Sequence, residues 1–241
     1  MPNGLDRLNA LGKITPTHPV MRPKDAASLI ILDRNGSSPK VLLGRRHQGH
    51  AFMPDKFVFP GGRVEAADAR MPSASELDCQ AAAKLMPGAS ARKARALALA
   101  AVRETFEETG LMLGVKRAPQ PVGPAGLWSA FADAGIYPDL AALHFVARAI
   151  TPPGLSRRFD TRFFAVDAQA IAHRVDGVVG PQAELVELLW VPIAETATLG
   201  LHAITATILE ELEARSAAGM AHDLPVPFYR MKNRRFVREL L

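Results

Sequence analysis

A mixed fold, α/β or α+β, is expected from three features of the 241-residue sequence. Short apolar runs bounded by turn formers recur along the chain, other segments are rich in Ala, Leu and Glu with helical periodicity, and the two kinds are interspersed. With 48% hydrophobic and 22% charged residues, the chain can bury a sizeable core in one large domain or in a domain with insertions.

Residues 1–25 hold Pro2, Pro16, Pro19 and Pro23 with little periodicity and read as an arm leading into a domain over 26–241. Apolar runs at 26–32 and 40–43 flank Asp33-Arg34-Asn35-Gly36-Ser37-Ser38-Pro39, a dense cluster of turn formers that predicts a hairpin. Further strands are expected at 57–59, 143–150, 162–166 and 184–191. The strongest helical segment is 92–109, with Gly110 placed to adopt a left-handed conformation just past its end. A second helix is expected over 204–217, within a C-terminal segment of about 201–241. After Pro225 and Pro227 that segment reads as a short strand plus a basic helix. Trp128 and Trp190 are both expected in the core.

Composition narrows the function classes. No stretch approaches the roughly 20 apolar residues of a membrane span, and the N-terminus lacks a basic-then-apolar signal pattern, so a cytoplasmic protein is expected. The single cysteine, Cys79, cannot form an internal disulfide and has no companions for a metal site, which leaves it a structural role. Net charge is +5, with basic residues collected at Arg157-Arg158, Arg162 and the tail Arg230-Lys232-Arg234-Arg235-Arg238, which suits an anionic partner. Nucleic acid is disfavoured by the absence of an aromatic-interleaved basic motif or zinc-finger spacing.

Chemistry concentrates on the 92–109 helix. Leu99, Val102 and Phe106 fall on one stripe, which should face the core. Glu104, Glu107 and Glu108 stand at i, i+3 and i+4 on the side roughly opposite. Carboxylates that close repel one another, and a hard divalent cation such as Mg²⁺ or Mn²⁺ would relieve the repulsion. A solvated acidic face is the plain alternative. Upstream, Phe57-Val58-Phe59-Pro60-Gly61-Gly62 is a strand running into a turn whose missing side chains let backbone approach a metal or phosphate. His47 and His50 near that turn read as solvated loop histidines.

Taken together, the Pro-Gly-Gly turn and Arg103-Glu104-Thr105-Phe106-Glu107-Glu108-Thr109-Gly110-Leu111 resemble the Nudix box, G-x5-E-x7-R-E-U-x-E-E-x-G-U, where U is bulky and apolar. Thr105 departs mildly at a U position, and Asp68 stands where the pattern has its first Glu. Between Asp68 and Arg103 lie 34 residues where the pattern has x7, so the box is split by an insertion of about 69–91. Breakers at Met71-Pro72-Ser73 and Met86-Pro87-Gly88 frame a short helix expected over 75–85. Closing so long a loop adds only about 1 kcal/mol.

The resemblance implies a Nudix-type α/β/α sandwich with a mixed central sheet. It also implies that Glu104, Glu107 and Glu108 bind divalent cations, with one of them a candidate base, while Arg103 orients them. On the same grounds Gly62 offers its backbone carbonyl to a metal, Asp68 is a further candidate ligand, and Glu184 is a candidate for activating water. The implied reaction is in-line attack of water on one phosphorus of a diphosphate. Val41-Leu42-Leu43-Gly44-Arg45-Arg46, the split box and Arg157-Arg158-Phe159-Asp160-Thr161-Arg162-Phe163-Phe164 are similar to the subgroup that includes mitochondrial and peroxisomal coenzyme A diphosphatases. The expected substrate is therefore a small nucleotide, coenzyme A or acyl-coenzyme A first, with ADP-ribose, NADH or dinucleoside polyphosphates as alternatives. Arg45, Arg46, Arg157, Arg158 and Arg162 become candidates for its phosphates, although pairing with Asp160 and Asp167 would explain some of them equally well. A homodimer through the segments at 127–131 and 204–212 also fits the resemblance. The reading from another class is a non-catalytic Nudix-fold module that binds a nucleotide or protein.

Overall fold

Strand β1 (Lys24–Asp33) organises the molecule because it is buried on both faces over most of its length. Successive side chains of a strand alternate between faces. Ala27, Leu29 and Ile31 enter one apolar cluster, and Ile30 and Leu32 the other. That requirement explains an unbroken apolar run where a one-sided strand would alternate. The computed structural model describes residues 3–10, 18–36, 38–49, 53–87 and 89–241.

Beside β1 lie the antiparallel β2 (Lys40–Arg46) and the parallel β9 (Phe159–Asp167), the latter in register from Lys24↔Phe159 to Leu32↔Asp167. The nine-stranded sheet runs β11 (Leu185–Pro192), β2, β1, β9, β8 (His144–Ile150), β12 (Pro227–Lys232), β13 (Arg235–Leu240). Two short strands complete it, β3 (Phe57–Val58) on β2 and β4 (Gly61–Arg63) on β1. Two small sheets flank it: β5 (Leu111–Leu113) with β10 (Ile171–Arg174), and β6 (Val115–Lys116) with β7 (Ile136–Tyr137).

On one face lies helix α3 (Ala91–Thr109), whose Leu97, Leu99, Ala101 and Val102 pack over Leu29, Ile31 and Leu42. On the other lies α5 (Ala203–Ala217), whose Ile208, Leu209 and Leu212 pack over Ile30, Leu32 and Leu43. The result is an α/β/α sandwich on a mixed sheet, as the resemblance to the Nudix box implies. Among the described residues no helix is long and apolar enough to cross a membrane.

Several expectations need correction. Residues 4–10 do not belong to an arm: they form helix α1 (Gly4–Ala10), which buries Leu8 beside α5, pairs Arg7 with Glu210 at 2.6 Å and bonds Gly4 O to Thr207 Oγ1. Pro2 and Pro16 lie outside the described residues. The helix expected over 75–85 is shorter, α2 (Cys79–Leu85), because the Asp78 side chain accepts from the Gln80 and Ala81 amides and starts the helix there. Cys79 is exposed at its first turn, not part of the core. Arg95 of α3 ties the insertion down by donating to Ala69 O, Met71 O, Ser73 Oγ and Glu76.

The expected basic helix at the C-terminus is instead strand β13, antiparallel to β12. The tight turn at Asn233 and Arg234, with φ of 50° and 63°, sets that hairpin. Trp128, beside helix α4 (Ser129–Ala134), is fully buried, whereas Trp190 on the edge strand β11 is 41% exposed and outside the core. Of the segments considered for a homodimer, Phe131, Ile208, Leu209 and Leu212 are core residues, whereas Leu127 is exposed.

Candidate active site

Helix α3 ends at Gly110, which adopts the left-handed conformation at φ 75° and donates its N–H to Phe106 O. An added Cβ there would lie 2.1 Å from Val175 O, so both the backbone and the neighbouring loop require glycine. This fixed end holds the last two turns of α3, with their three glutamates, against the turn between β3 and β4. The turn is pinned in its own right: Ser28 Oγ and Leu29 N both donate to Pro60 O. Gly61 N–H donates to Glu108 Oε2 at 3.0 Å. A Cβ on Gly62 would sit 2.5–2.6 Å from the Glu104 carboxylate, so a side chain there would displace that carboxylate from Arg103.

Arg103 is the centre of the site. It is 1% exposed, and each of its nitrogens has an acceptor. Nε donates to Asp68 Oδ1 at 2.8 Å, and Nη2 to Asp68 Oδ2 at 3.1 Å and Arg63 O at 2.9 Å. Nη1 donates to Glu104 Oε1 and Glu107 Oε2, both at 2.9 Å. One planar cation thereby orients two glutamates and anchors both to the β4 backbone and to the start of the insertion.

Asp68 is correspondingly not placed as a metal ligand. It is fully buried and accepts from Arg103 twice, from Trp128 Nε1 and from Glu65 N. A carboxylate so fully bonded acts as a brace for the arginine. The partner Trp128, 60 residues away along the chain, left no signal in the sequence that could have linked it to this site.

Burial acts on all three helix glutamates. Desolvation pushes the Glu104 carboxyl up to about 7 even though Arg103 opposes the shift, and Glu107 and Glu184 add to it. Glu107 is raised for the same reason, again against Arg103. Glu108, the deepest of the three, is raised well above the usual carboxylate range by burial and by Glu184, with Arg46 opposing. Clustered, desolvated oxygen donors of this kind fit a hard divalent cation, whose charge would offset both burial and mutual repulsion. Among the described residues no three acidic, histidine or cysteine side chains already converge to hold a metal ion. The reason is visible: Glu104 and Glu107 are turned onto Arg103, and Glu108 onto Gly61 N–H.

The other predicted residues divide sharply. Glu184, just before β11, joins the carboxylate patch through Arg46, whose Nη1 lies 2.6 Å from Glu184 Oε1 and whose Nη2 lies 3.9 Å from Glu108 Oε1. Arg45 faces away from it, onto Glu187 and Asp55. Arg162 contradicts its assignment to phosphate: it is 1% exposed and bonded to Asp25 and Asp160 in the interior. Arg158 donates to the Thr151 and Met21 carbonyls, while Arg157 is exposed on the β8–β9 loop. His47 caps the following turn by accepting from Gly49 N, and His50 lies outside the described residues.

Comparison with known proteins places the chain in a family. The crystal structure of a NUDIX hydrolase from Alicyclobacillus acidocaldarius superposes with a TM-score of 0.64 at 29% identity, covering 83% of this chain and 96% of that one. An acyl-coenzyme A diphosphatase, NUDT19 of Xenopus laevis, is 32% identical over 107 residues, a match covering 34% of this chain and only 27% of that relative's length. The NUDIX domain family model matches residues 22–212. That span takes in the central sheet, the Pro-Gly-Gly turn and the glutamate helix, and the chain belongs to the NUDIX domain family.

Proposed function

We propose that this Nudix hydrolase is a divalent-metal-dependent pyrophosphohydrolase of a nucleoside diphosphate linked to a second moiety, with coenzyme A or acyl-coenzyme A as its first substrate. The observation that carries the reading is the set of three desolvated glutamates on one helix, two of them oriented by a buried arginine and two of them seated on a glycine turn.

Glu104, Glu107 and Glu108 would hold Mg²⁺ or Mn²⁺, with the Gly62 carbonyl as a backbone donor. When bound, the cation supplies Lewis-acid neutralisation of charge developing on the phosphoryl oxygens. Arg103 would keep Glu104 and Glu107 oriented beside Glu108. The Pro60-Gly61-Gly62 turn brings its backbone up against the Glu104 carboxylate and β1, which places the Gly62 carbonyl beside the helix glutamates. Glu184, 44% exposed and beside the patch, can accept the proton released by the attacking water. Cleavage of coenzyme A in this way yields 3′,5′-ADP and 4′-phosphopantetheine.

The choice of substrate is supported by the partial likeness to the Xenopus laevis diphosphatase. Four of the five arginines first considered for its phosphates have protein partners, which leaves Arg157 as the candidate contact. The test is a hydrolysis panel of coenzyme A, acetyl-coenzyme A, ADP-ribose, NADH and dinucleoside polyphosphates with Mg²⁺ or Mn²⁺ and with chelator. Metal-dependent release of 3′,5′-ADP from coenzyme A is expected. Turnover of ADP-ribose alone would move the substrate assignment, and no turnover of any compound would favour a binding module.

A further inference from the structure

The acidic patch is served by two arginines, and only Arg103 belongs to the helix. Arg46 is the last residue of β2, and its position is set twice over by backbone: it pairs with Leu185 in the β2–β11 ladder, and its N–H donates to Lys56 O at 3.0 Å. Next to it, His47 N–H donates to Glu184 O, which fixes the start of β11 against the end of β2. From this frame one guanidinium reaches two carboxylates on different elements, Glu184 at 2.6 Å and Glu108 at 3.9 Å. Its side chain is 10% exposed, so it is spent inside the protein and not presented to a ligand.

We propose that Arg46 is a positioning residue, whose bridge between Glu184 and Glu108 sets the distance of the loop carboxylate from the helix carboxylates. Glu184 precedes β11 and follows a loop from residue 175 that carries three glycine or proline residues, so strand pairing alone leaves its side chain poorly fixed. The planar, two-pronged guanidinium ties that side chain to the helix carboxylates, which a lysine point charge would do only in part. This reverses the expectation that Arg46 grips a substrate phosphate. It rests on the reading of the site as a diphosphatase for its kinetic consequence, but the physical bridge does not depend on that reading.

Two measurements on the full chain separate the possibilities. Kinetics with Mg²⁺ use whichever of coenzyme A and ADP-ribose the wild type turns over, for Arg46→Met, Arg46→Lys, Glu184→Gln and the double variant Arg46→Met/Glu184→Gln. The expected result for Arg46→Met is a kcat lower by about 30- to 100-fold with KM within about 3-fold, since misplacing a reacting group by an ångström can cost about that much. Arg46→Lys should recover part of the loss. The double variant should be no slower than the slower single one, because both act through the same contact. A KM raised tenfold with kcat retained, or fully additive losses, would overturn the proposal. Hydrogen exchange provides the arm independent of catalysis. In Arg46→Met, and in the more easily tolerated Glu184→Gln, residues 177–187 should exchange faster while α3 stays protected. Unchanged exchange there overturns the bridge even if the protein hydrolyses nothing, and loss of turnover with Glu107→Gln but not with either Arg46 variant overturns its catalytic role alone.

Discussion

The glutamates of α3 and the arginines of the strands and loops both stand out in the sequence as charged clusters, yet the folded chain treats them in opposite ways. Glu104, Glu107 and Glu108 stay together on one patch, whereas Arg45, Arg46, Arg158 and Arg162 are drawn apart to separate internal partners. The difference is one of range. Spacing of i, i+3 and i+4 forces proximity through a single helix, whatever the rest of the chain does. An arginine on a strand points to one face or the other, and what it meets there is set by residues far away, such as Asp25 for Arg162. Local charge geometry therefore predicted which carboxylates lie together, and charge count alone did not predict which arginines are left for a ligand.

The largest test of that contrast is Arg103→Met. Removing one partner of a buried charge network costs about 3–5 kcal/mol, so thermal unfolding should fall by roughly 10 °C. Hydrolysis should fall by at least about 10²-fold as Glu104 and Glu107 lose their orientation. Arg162→Met should cost about 3 kcal/mol for the same reason, read from denaturant melts, but leave KM within about 2-fold. A KM raised tenfold would return Arg162 to the substrate site and erase the contrast.

Solution pH sharpens it from the other side. Glu104 sits at about 7 in the folded protein against an ordinary 4.5, so the folded state binds the proton more tightly than the unfolded one. Its contribution to stability is present at low pH and is lost as pH rises through about 7. Metal-free protein should accordingly melt lower at pH 8 than at pH 6, and saturating Mg²⁺ should reduce the difference by holding the ionised form. The smallest effect is expected of Arg157→Ala, a rise in KM for coenzyme A of about 3-fold with an unchanged melting temperature.

How much of the molecule the sequence discloses follows the same division by range. The hairpin of β1 and β2, helix α3 with its Gly110 stop and the Pro-Gly-Gly turn are all written in local patterns. Helix α1 was invisible because seven residues with a single core leucine show no period, and it is held by contacts to α5 some 200 positions away. The segment Arg235–Leu240 looked helical for its charge, but antiparallel pairing to β12 decided it, and the turn lacked the glycine that usually marks such hairpins. At the site, the proximity of the three glutamates could be read from their spacing. The bracing of Arg103 by Asp68 and Trp128, and of Glu184 by Arg46, depends on tertiary pairs that no spacing encodes.

The central claim is that the α3 glutamates form a divalent-cation site, and a Mn²⁺ titration followed by electron paramagnetic resonance tests it most directly. Wild-type protein should show saturable binding, and Glu107→Gln should weaken it at least about tenfold with the fold intact by circular dichroism. Identical isotherms for the two proteins would contradict the account.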